Sequence, residues 1–460
     1  MRRSLGQAAV KLFQHFGSNP NSIQGKRLPL VLRCPIDCSL VGVKSAITSF
    51  VLEDMILFVK KRLKVVIVTD TYAEEMGYAG SRIPAAMAKL ENVDVHLVTA
   101  GLPAYYQISD YDKTYADFQK PSFNVGDIRE VEGFKVHYID YKFAYGGIRL
   151  LGLRDKLAEI CPDIVQIFSH TGWAAIDIAR FQPILGYKLF TGNHSGKIVY
   201  TPARMALKPW SLVRIKEFVR RGLPGRFISS RTEICYGASE DASEVATDFF
   251  GVSKRKIKTI SLGVDIDLLH PAANDIDKAA ARTIRAELGV DDDEIMCLYT
   301  GRMTEVKNAL LLAQAIAELR AEGQRFRAIF YGAGPQEDAI RAIEGAIVHP
   351  FVHYKTLGDV YRAADIAVWP TQITTSTLDA AACGIPIIVN DQILANERYE
   401  GNGLTYRLND LADLKRALLD LKDPALRKKL GDEGARKMRE EYSWDALVKV
   451  RIDDYRKALE

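Results

Sequence analysis

The sequence predicts an α/β protein with two doubly wound, parallel-sheet domains in series. Two series of short apolar runs, each run followed by a helical stretch, carry that expectation. A polar, acidic segment separates the series. At 460 residues and about 150 residues per domain, the chain has room for two large units and an appendage.

The first series opens at Lys64-Val-Val-Ile-Val-Thr-Asp70, apolar without alternation, as a strand buried on both faces reads. A glycine-bearing loop, a helical stretch over 81–90 and a second strand, Val93 to Thr99, follow. Asp163–Phe168 and Tyr187–Thr191 continue the βαβ rhythm. The rhythm restarts at Ile295–Thr300, with a helix over 308–322 and strands at 327–331, 364–369 and 386–389. Between them, 271–293 carries Asp275, Asp277 and Asp291 to Asp293, and reads as a hinge with an entering helix. The expected divisions are an extension over 1–61, a first domain over 62–266, a second over 267–436, and a final helix, 437–460, packing back on the first domain. Ligands of such sheets sit outside the carboxyl ends of the strands, so the cleft between the domains is the expected site.

The net charge of +4 is small for this length and speaks against a nucleic-acid partner. Six scattered cysteines without a CxxC pair fit a reducing, cytoplasmic setting. Cys34 and Cys38 read as two unrelated thiols ahead of a redox pair. No signal peptide and no uncharged apolar span is apparent.

Thr300-Gly-Arg-Met-Thr-Glu-Val-Lys307 places Arg302 and Lys307 on one strand-to-helix loop. A planar fork beside a point charge suits a diphosphate; two solvated surface cations are the plain alternative. Thr374 to Thr377 lead into an Ala-rich helix ending at Gly384. Thr375, Ser376 and Thr377 would offer N–H groups to an anion, and Asp379 would accept from sugar hydroxyls. Gly332 and Gly334, in Tyr331-Gly-Ala-Gly-Pro335, form a tight turn and not a dinucleotide fingerprint, since the third glycine is missing. Gly77 and Gly80 would let backbone approach a ligand. His170 and His194 stand at neighbouring strand ends, where function concentrates. Over 204–231 basic residues crowd around Leu212, Ile215 and Val219 at helical spacing. That reads as a basic amphipathic helix, either packed on the domain or lying on an anionic membrane.

Together these segments resemble the retaining GT-B glycosyltransferases of family 4, over roughly residues 64 to 450. Besides the motifs above, Ser261 to Pro271, Asp365 to Pro370, Asn402-Gly-Leu404 and Tyr442-Ser-Trp444 are similar to family landmarks. The resemblance implies two Rossmann-like domains facing each other across a cleft. It implies transfer of a sugar from a UDP- or GDP-linked donor, with retention, to a lipid-linked or polysaccharide glycan. Arg302 and Lys307 would hold the diphosphate with Gly77, Gly80 and the helix start at 375–377. Asp379, Gly332 and Gly334 would hold the ribose or sugar. His170, ahead of His194, would contact the sugar or acceptor. No cofactor and no metal is implied. One departure stands out: the family carries two glutamates eight residues apart in the donor loop, and here Asp379 replaces the second and Thr371 the first, in a loop about three residues shorter. A nucleotide-sugar epimerase and a non-catalytic nucleotide-sugar or glycan binder therefore stay open. The expected location is the cytoplasm, with peripheral membrane contact through 204–231.

Overall fold

The structure, a computed structural model, describes residues 62–74, 77–102, 124–145, 147–197, 211–371, 374–393 and 395–460. The Cys34 and Cys38 reading, the extension over 1–61 and positions 204–210 of the basic segment lie outside them.

The first domain is built on β1 (Leu63–Val68), β2 (Val93–Ala100), β3 (Ile128–Val131), β4 (Phe134–Ile139), β7 (Ile164–Ile167), β8 (Lys188–Asn193), β9 (Thr232–Gly237) and β10 (Ile257–Thr259). A separate antiparallel hairpin joins β5 (Tyr141–Ala144) and β6 (Gly147–Leu150). The strand order is β10-β9-β8-β7-β1-β2-β4-β3, parallel throughout except for β3 against β4. The unalternating apolar run of β1 has its physical reason here. Val65 and Ile67 enter the core on one face, and Val66 and Val68 enter the core on the other. Successive strands are added in one direction from β1 to β2 and in the other from β7 to β8, so the carboxyl ends of β1 and β7 open a crevice.

The second domain has β11 (Ile295–Thr300), β12 (Phe326–Tyr331), β13 (Ala346–His349), β14 (Ile366–Trp369), β15 (Ile387–Asn390) and β16 (Gly403–Tyr406). Their order, β13-β12-β11-β14-β15-β16, is parallel throughout. Its switch point lies between β11 and β14. The acidic segment before β11 forms the helix Asp275–Glu287, whose first turn is capped by Asn274 Oδ1 accepting from the Asp277 N–H at 2.9 Å.

The chain crosses between domains twice, and the crossings are joined. Val264 N–H donates to Tyr442 O at 2.9 Å, and Trp444 N–H donates to Val264 O at 3.2 Å. Gly263 has no Cβ because one would overlap the Trp444 indole. After this point the helix Trp444–Leu459 lies on the first sheet. Trp444, Leu447, Val448, Ile452 and Tyr455 share a core with β1 and β8. Asp454 accepts from Lys258 Nζ at 2.9 Å and from Tyr236 Oη at 3.2 Å. Helix Pro424–Glu441 precedes the crossing, so the crossover sits at 442–444. No helix among the described residues is long and apolar enough to cross a membrane.

Candidate active site

A cavity of about 460 Å³ lies between the carboxyl edges of the two sheets. Thr69, Gly77, Gly80, Phe168 and His194 line it from the first domain, and Thr300, Gly301, Tyr354, Ser376 and Asp379 from the second. A second cavity, of about 240 Å³, adjoins it and shares Thr69, Phe168 and His194. It sits over the β1/β7 switch point and is lined by Asp70, Ser169, Thr171, Asn193 and Ser195.

The loop after β11 is braced from below. Trp369 Nε1–H donates to Thr300 O at 3.1 Å, and Tyr299 Oη–H donates to Arg302 O at 2.8 Å. Gly301 N–H donates to Tyr331 O at 2.9 Å and Met303 N–H to Ala333 O at 3.0 Å. Gly332 and Gly334 have φ of +144° and +157°, and a Cβ on either would overlap Gly301 O or Met303 O. These two glycines therefore do not line the cavity as expected. They let the 332–334 turn lie flat against the loop that carries Arg302.

Lys307 comes back over that loop: its ammonium lies 3.5 Å from where a Cβ on Gly301 would sit. Arg302 stands exposed beside it. Enclosure by protein, and then the Arg302 charge, hold the Lys307 amine below its ordinary pKa. Among the described residues no carboxylate pairs with Lys307. Both cations stand at the carboxyl end of β11, next to Thr300 and Gly301, which line the cavity, but neither side chain is itself part of that lining.

The helix Ser376–Ala382 meets the expectation only in part. Thr375, Ser376 and Asp379 reach the cavity. Thr377 is fully buried, and its hydroxyl donates to Thr374 O at 2.8 Å. The N–H groups of Ser376 and Thr377 are used on Thr374 at 3.2 Å each, so the first turn does not present a row of open donors. Asp379 is open to the cavity on one side and enclosed on the others. That enclosure, with the Asp265 charge, pushes its carboxyl up to about 8.

The two histidines exchange rank. His170 is 1% exposed. Its Nδ1 is 2.8 Å from Thr191 Oγ1, and its Nε2 is 2.9 Å from Ser229 Oγ and 3.1 Å from Gly225 O. It pins the helix Leu223–Arg231 to the sheet edge and does not reach the cleft. His194 faces both cavities and is exposed to them, and its imidazole pKa is lowered by the protein about it and then by the Arg451 charge.

Gly77, at φ +66°, passes so close to the Tyr354 ring that a Cβ would overlap it. Gly80 has open space around its Cα. Tyr354 and Asp70 were not singled out in the sequence. Asp70 had a signal, its place at the end of the first strand, but Tyr354 enters the cavity from a helix with no motif around it. Among the described residues no cluster of His, Cys, Asp or Glu is arranged to hold a metal ion.

Residues 294–423 match the family model described as glycosyl transferases group 1. The chain is 26% identical over 249 residues to the D-inositol 3-phosphate glycosyltransferase of Xylanimonas cellulosilytica, covering 50% of this chain and 58% of that protein. It is 30% identical over 246 residues to the enzyme of the same name from Kineococcus radiotolerans, covering 46% and 54%. The chain thus spans little more than half the length of these relatives. Among solved structures, sucrose-phosphate synthase from Thermosynechococcus elongatus superposes with a TM-score of 0.59 at 17% identity, over 86% of this chain and 99% of that one. Anabaena Alr3699/HepE in complex with UDP and glucose gives 0.60 at 12% identity, over 85% and 99%. At these identities the likeness is one of fold, and the fold is that of the GT-B glycosyltransferases.

Proposed function

We propose that the chain transfers a sugar from a UDP- or GDP-linked donor to a hydroxylated acceptor, with retention at the anomeric carbon. One observation carries the reading: Lys307, paired with no carboxylate among the described residues, sits with Arg302 at the switch point of the domain that the family match covers. As the glycosidic bond breaks, negative charge develops on the leaving diphosphate, and two fixed cations in a partly dry cleft stabilise it. The sugar carbon becomes oxocarbenium-like, and the acceptor hydroxyl attacks from the face the diphosphate leaves, passing its proton to a departing phosphate oxygen as the new C–O bond forms. Asp379 accepts from donor hydroxyls. His194, neutral and shared by the two cavities, contacts the sugar and the incoming acceptor. Asp70, Asn193 and the hydroxyls of Ser169, Thr171 and Ser195 give the smaller cavity the character of an acceptor subsite for a polyol or glycan, lipid-linked or free. No metal or organic cofactor is assigned a step.

A second reading, a nucleotide-sugar binder without turnover, is favoured by Thr371, which stands where the resemblance expects a carboxylate. The test is transfer and donor hydrolysis over a panel of UDP-, GDP- and ADP-sugars, with product anomers assigned by NMR. Arg302→Ala and Lys307→Ala should each lower kcat/KM for the donor by roughly 10- to 150-fold, the worth of a charge-assisted hydrogen bond. Unchanged transfer in both variants removes the diphosphate assignment. Calorimetric UDP binding without turnover on any acceptor selects the binder.

A further inference from the structure

The segment Ser211–Arg231 folds as a helix, Leu212–Glu217, a π-turn, Phe218–Gly222, and a second helix, Leu223–Arg231. None of the residues of its first helix is buried. Large apolar side chains stand in water along it: Leu212 is 84% exposed, Val219 57% and Leu223 49%. Of eighteen exposed large apolar residues among those described, seven fall between 212 and 227. Isolated exposed apolar residues are ordinary, but a contiguous group marks a contact surface. Leu212, Ile215, Val219, Leu223 and Phe227 follow one another at spacings of three and four, the helical repeat, so they form one stripe.

The charge around the stripe identifies what covers it. Residues 211–231 carry six cations, Arg214, Lys216, Arg220, Arg221, Arg226 and Arg231, against one carboxylate, Glu217. A protein partner buried on an apolar stripe would have to neutralise this ring of charge side by side with its own apolar face. An anionic bilayer interface supplies both properties in one plane, headgroup charge above and acyl chain below.

The position of the segment gives the contact a consequence. His170, three residues past β7, holds Gly225 O and Ser229 Oγ at 3.1 and 2.9 Å. The helix Leu223–Arg231 runs from there towards the amino end of β9, so the stripe leads into it at the carboxyl edge. That is the edge on which both cavities open.

We propose that the stripe from Leu212 to Phe227 docks the first domain on an anionic bilayer and holds the acceptor side of the cleft at the lipid surface. The contact is independent of sugar transfer and is read without any nucleotide sugar. The full chain is sedimented with vesicles of phosphatidylcholine alone and of phosphatidylcholine with phosphatidylglycerol, at about 0.1 M salt, where the screening length is about 10 Å. Binding is expected only to the anionic vesicles, falling at least about 10-fold near 1 M salt as that length shrinks to about 3 Å. Leu212→Gln with Val219→Gln should lose at least about 10-fold, and Lys216→Gln with Arg220→Gln should abolish the preference for the anionic lipid. These side chains are exposed, so both variants should unfold at the wild-type temperature. Absence of binding to anionic vesicles, or binding unchanged in both variants, overturns the proposal. So does a wild-type dimer in sedimentation velocity that the Leu212→Gln, Val219→Gln variant converts to monomer, which would assign the stripe to a second copy.

Discussion

Asp379 should make the protein more stable when it is removed, but only at neutral and alkaline pH. Its carboxyl is held at about 8, against an ordinary value of 3.8. The folded chain therefore keeps a proton that the unfolded chain has released. Below pH 3.8 both states are protonated and the group contributes nothing against folding. As pH rises from 3.8 to 8 the native state binds more protons than the unfolded state, so stability falls across that window. About four units at about 1.4 kcal/mol each would amount to about 6 kcal/mol. One side of the carboxyl is open to cleft water, and screening reduces this to about 2 kcal/mol. Asp379→Asn keeps the shape and removes the ionisation. For a chain of this size 1 kcal/mol corresponds to about 1 to 2 °C. Thermal unfolding should show no difference near pH 4 and a gain of about 2 to 4 °C for the variant by pH 8. The same variant replaces a carboxyl that can both donate and accept in the donor cavity, so its kcat/KM for the donor should fall by up to about 10-fold. A melting difference that does not change with pH, or a wild type more stable than the variant at pH 8, refutes the reasoning.

Gly332→Ala forces a Cβ into Gly301 O; it should raise the donor KM about 10-fold or more by displacing the Arg302 loop, while His194→Ala in the opposite wall leaves donor affinity nearly intact and lowers kcat. His170→Ala removes the buried ring and its hydrogen bonds to Thr191 and Ser229, while Ser229 keeps Gly225 O at 2.7 Å, and should cost about 1 to 3 kcal/mol in urea unfolding. Burial lowers the His170 imidazole to about 4, so the wild type should lose stability as pH falls from about 6.5 to 4, and a His170→Gln variant should not show that limb. Glu294, 5% exposed, accepts from Arg320 at 2.7 Å and Arg327 at 3.0 Å. Burial would raise its pKa, but the arginines and the Asp291 N–H hold it below the ordinary value; Glu294→Ala should cost about 3 kcal/mol at pH 7, with the loss shrinking in acid.

The sequence carried the framework because burial on both faces leaves a local signature. Apart from Lys64 and Thr300, β1 and β11 are apolar along their length, and so both read as strands buried on two faces, whereas the switch points beside them follow from strand order, which leaves no local mark in the sequence. Strands with one wet face were harder. β3 shows three exposed residues of four, and β10 has three residues, none buried. At the site, the loop from Thr300 to Lys307 was legible because its cations and its strand adjoin in the chain. The roles of Gly332 and Gly334 were not, because what they approach is the backbone of residues 301 and 303, thirty-one positions earlier. His170 and His194 could not be ordered from sequence either. Both follow strands, and only the helix returning through Gly225 and Ser229 turns one of them inward.

The pivot for domain closure also moves. The acidic stretch 271–293 predicted a hinge, yet most of that stretch is committed to structure, and so is the chain just before it. Leu269 N–H donates to Asp265 O at 2.8 Å, and residues 275–287 are helical. The chain instead crosses at Val264, hydrogen-bonded to the second crossing at Tyr442 and Trp444. A motion about two tied crossings can open and shut the cleft but cannot easily slide one sheet past the other. Above the pivot the domains already touch through Arg82 to Asp265 at 3.1 Å, Lys89 to Asp267 at 3.0 Å and Gly77 against Tyr354. The exposed ion pair at Lys89 contributes little, while the Gly77 contact tolerates no side chain. Closure therefore depends on the glycine more than on the charges: it sets how near Tyr354 and the Asp379 floor come to the wall that holds His194.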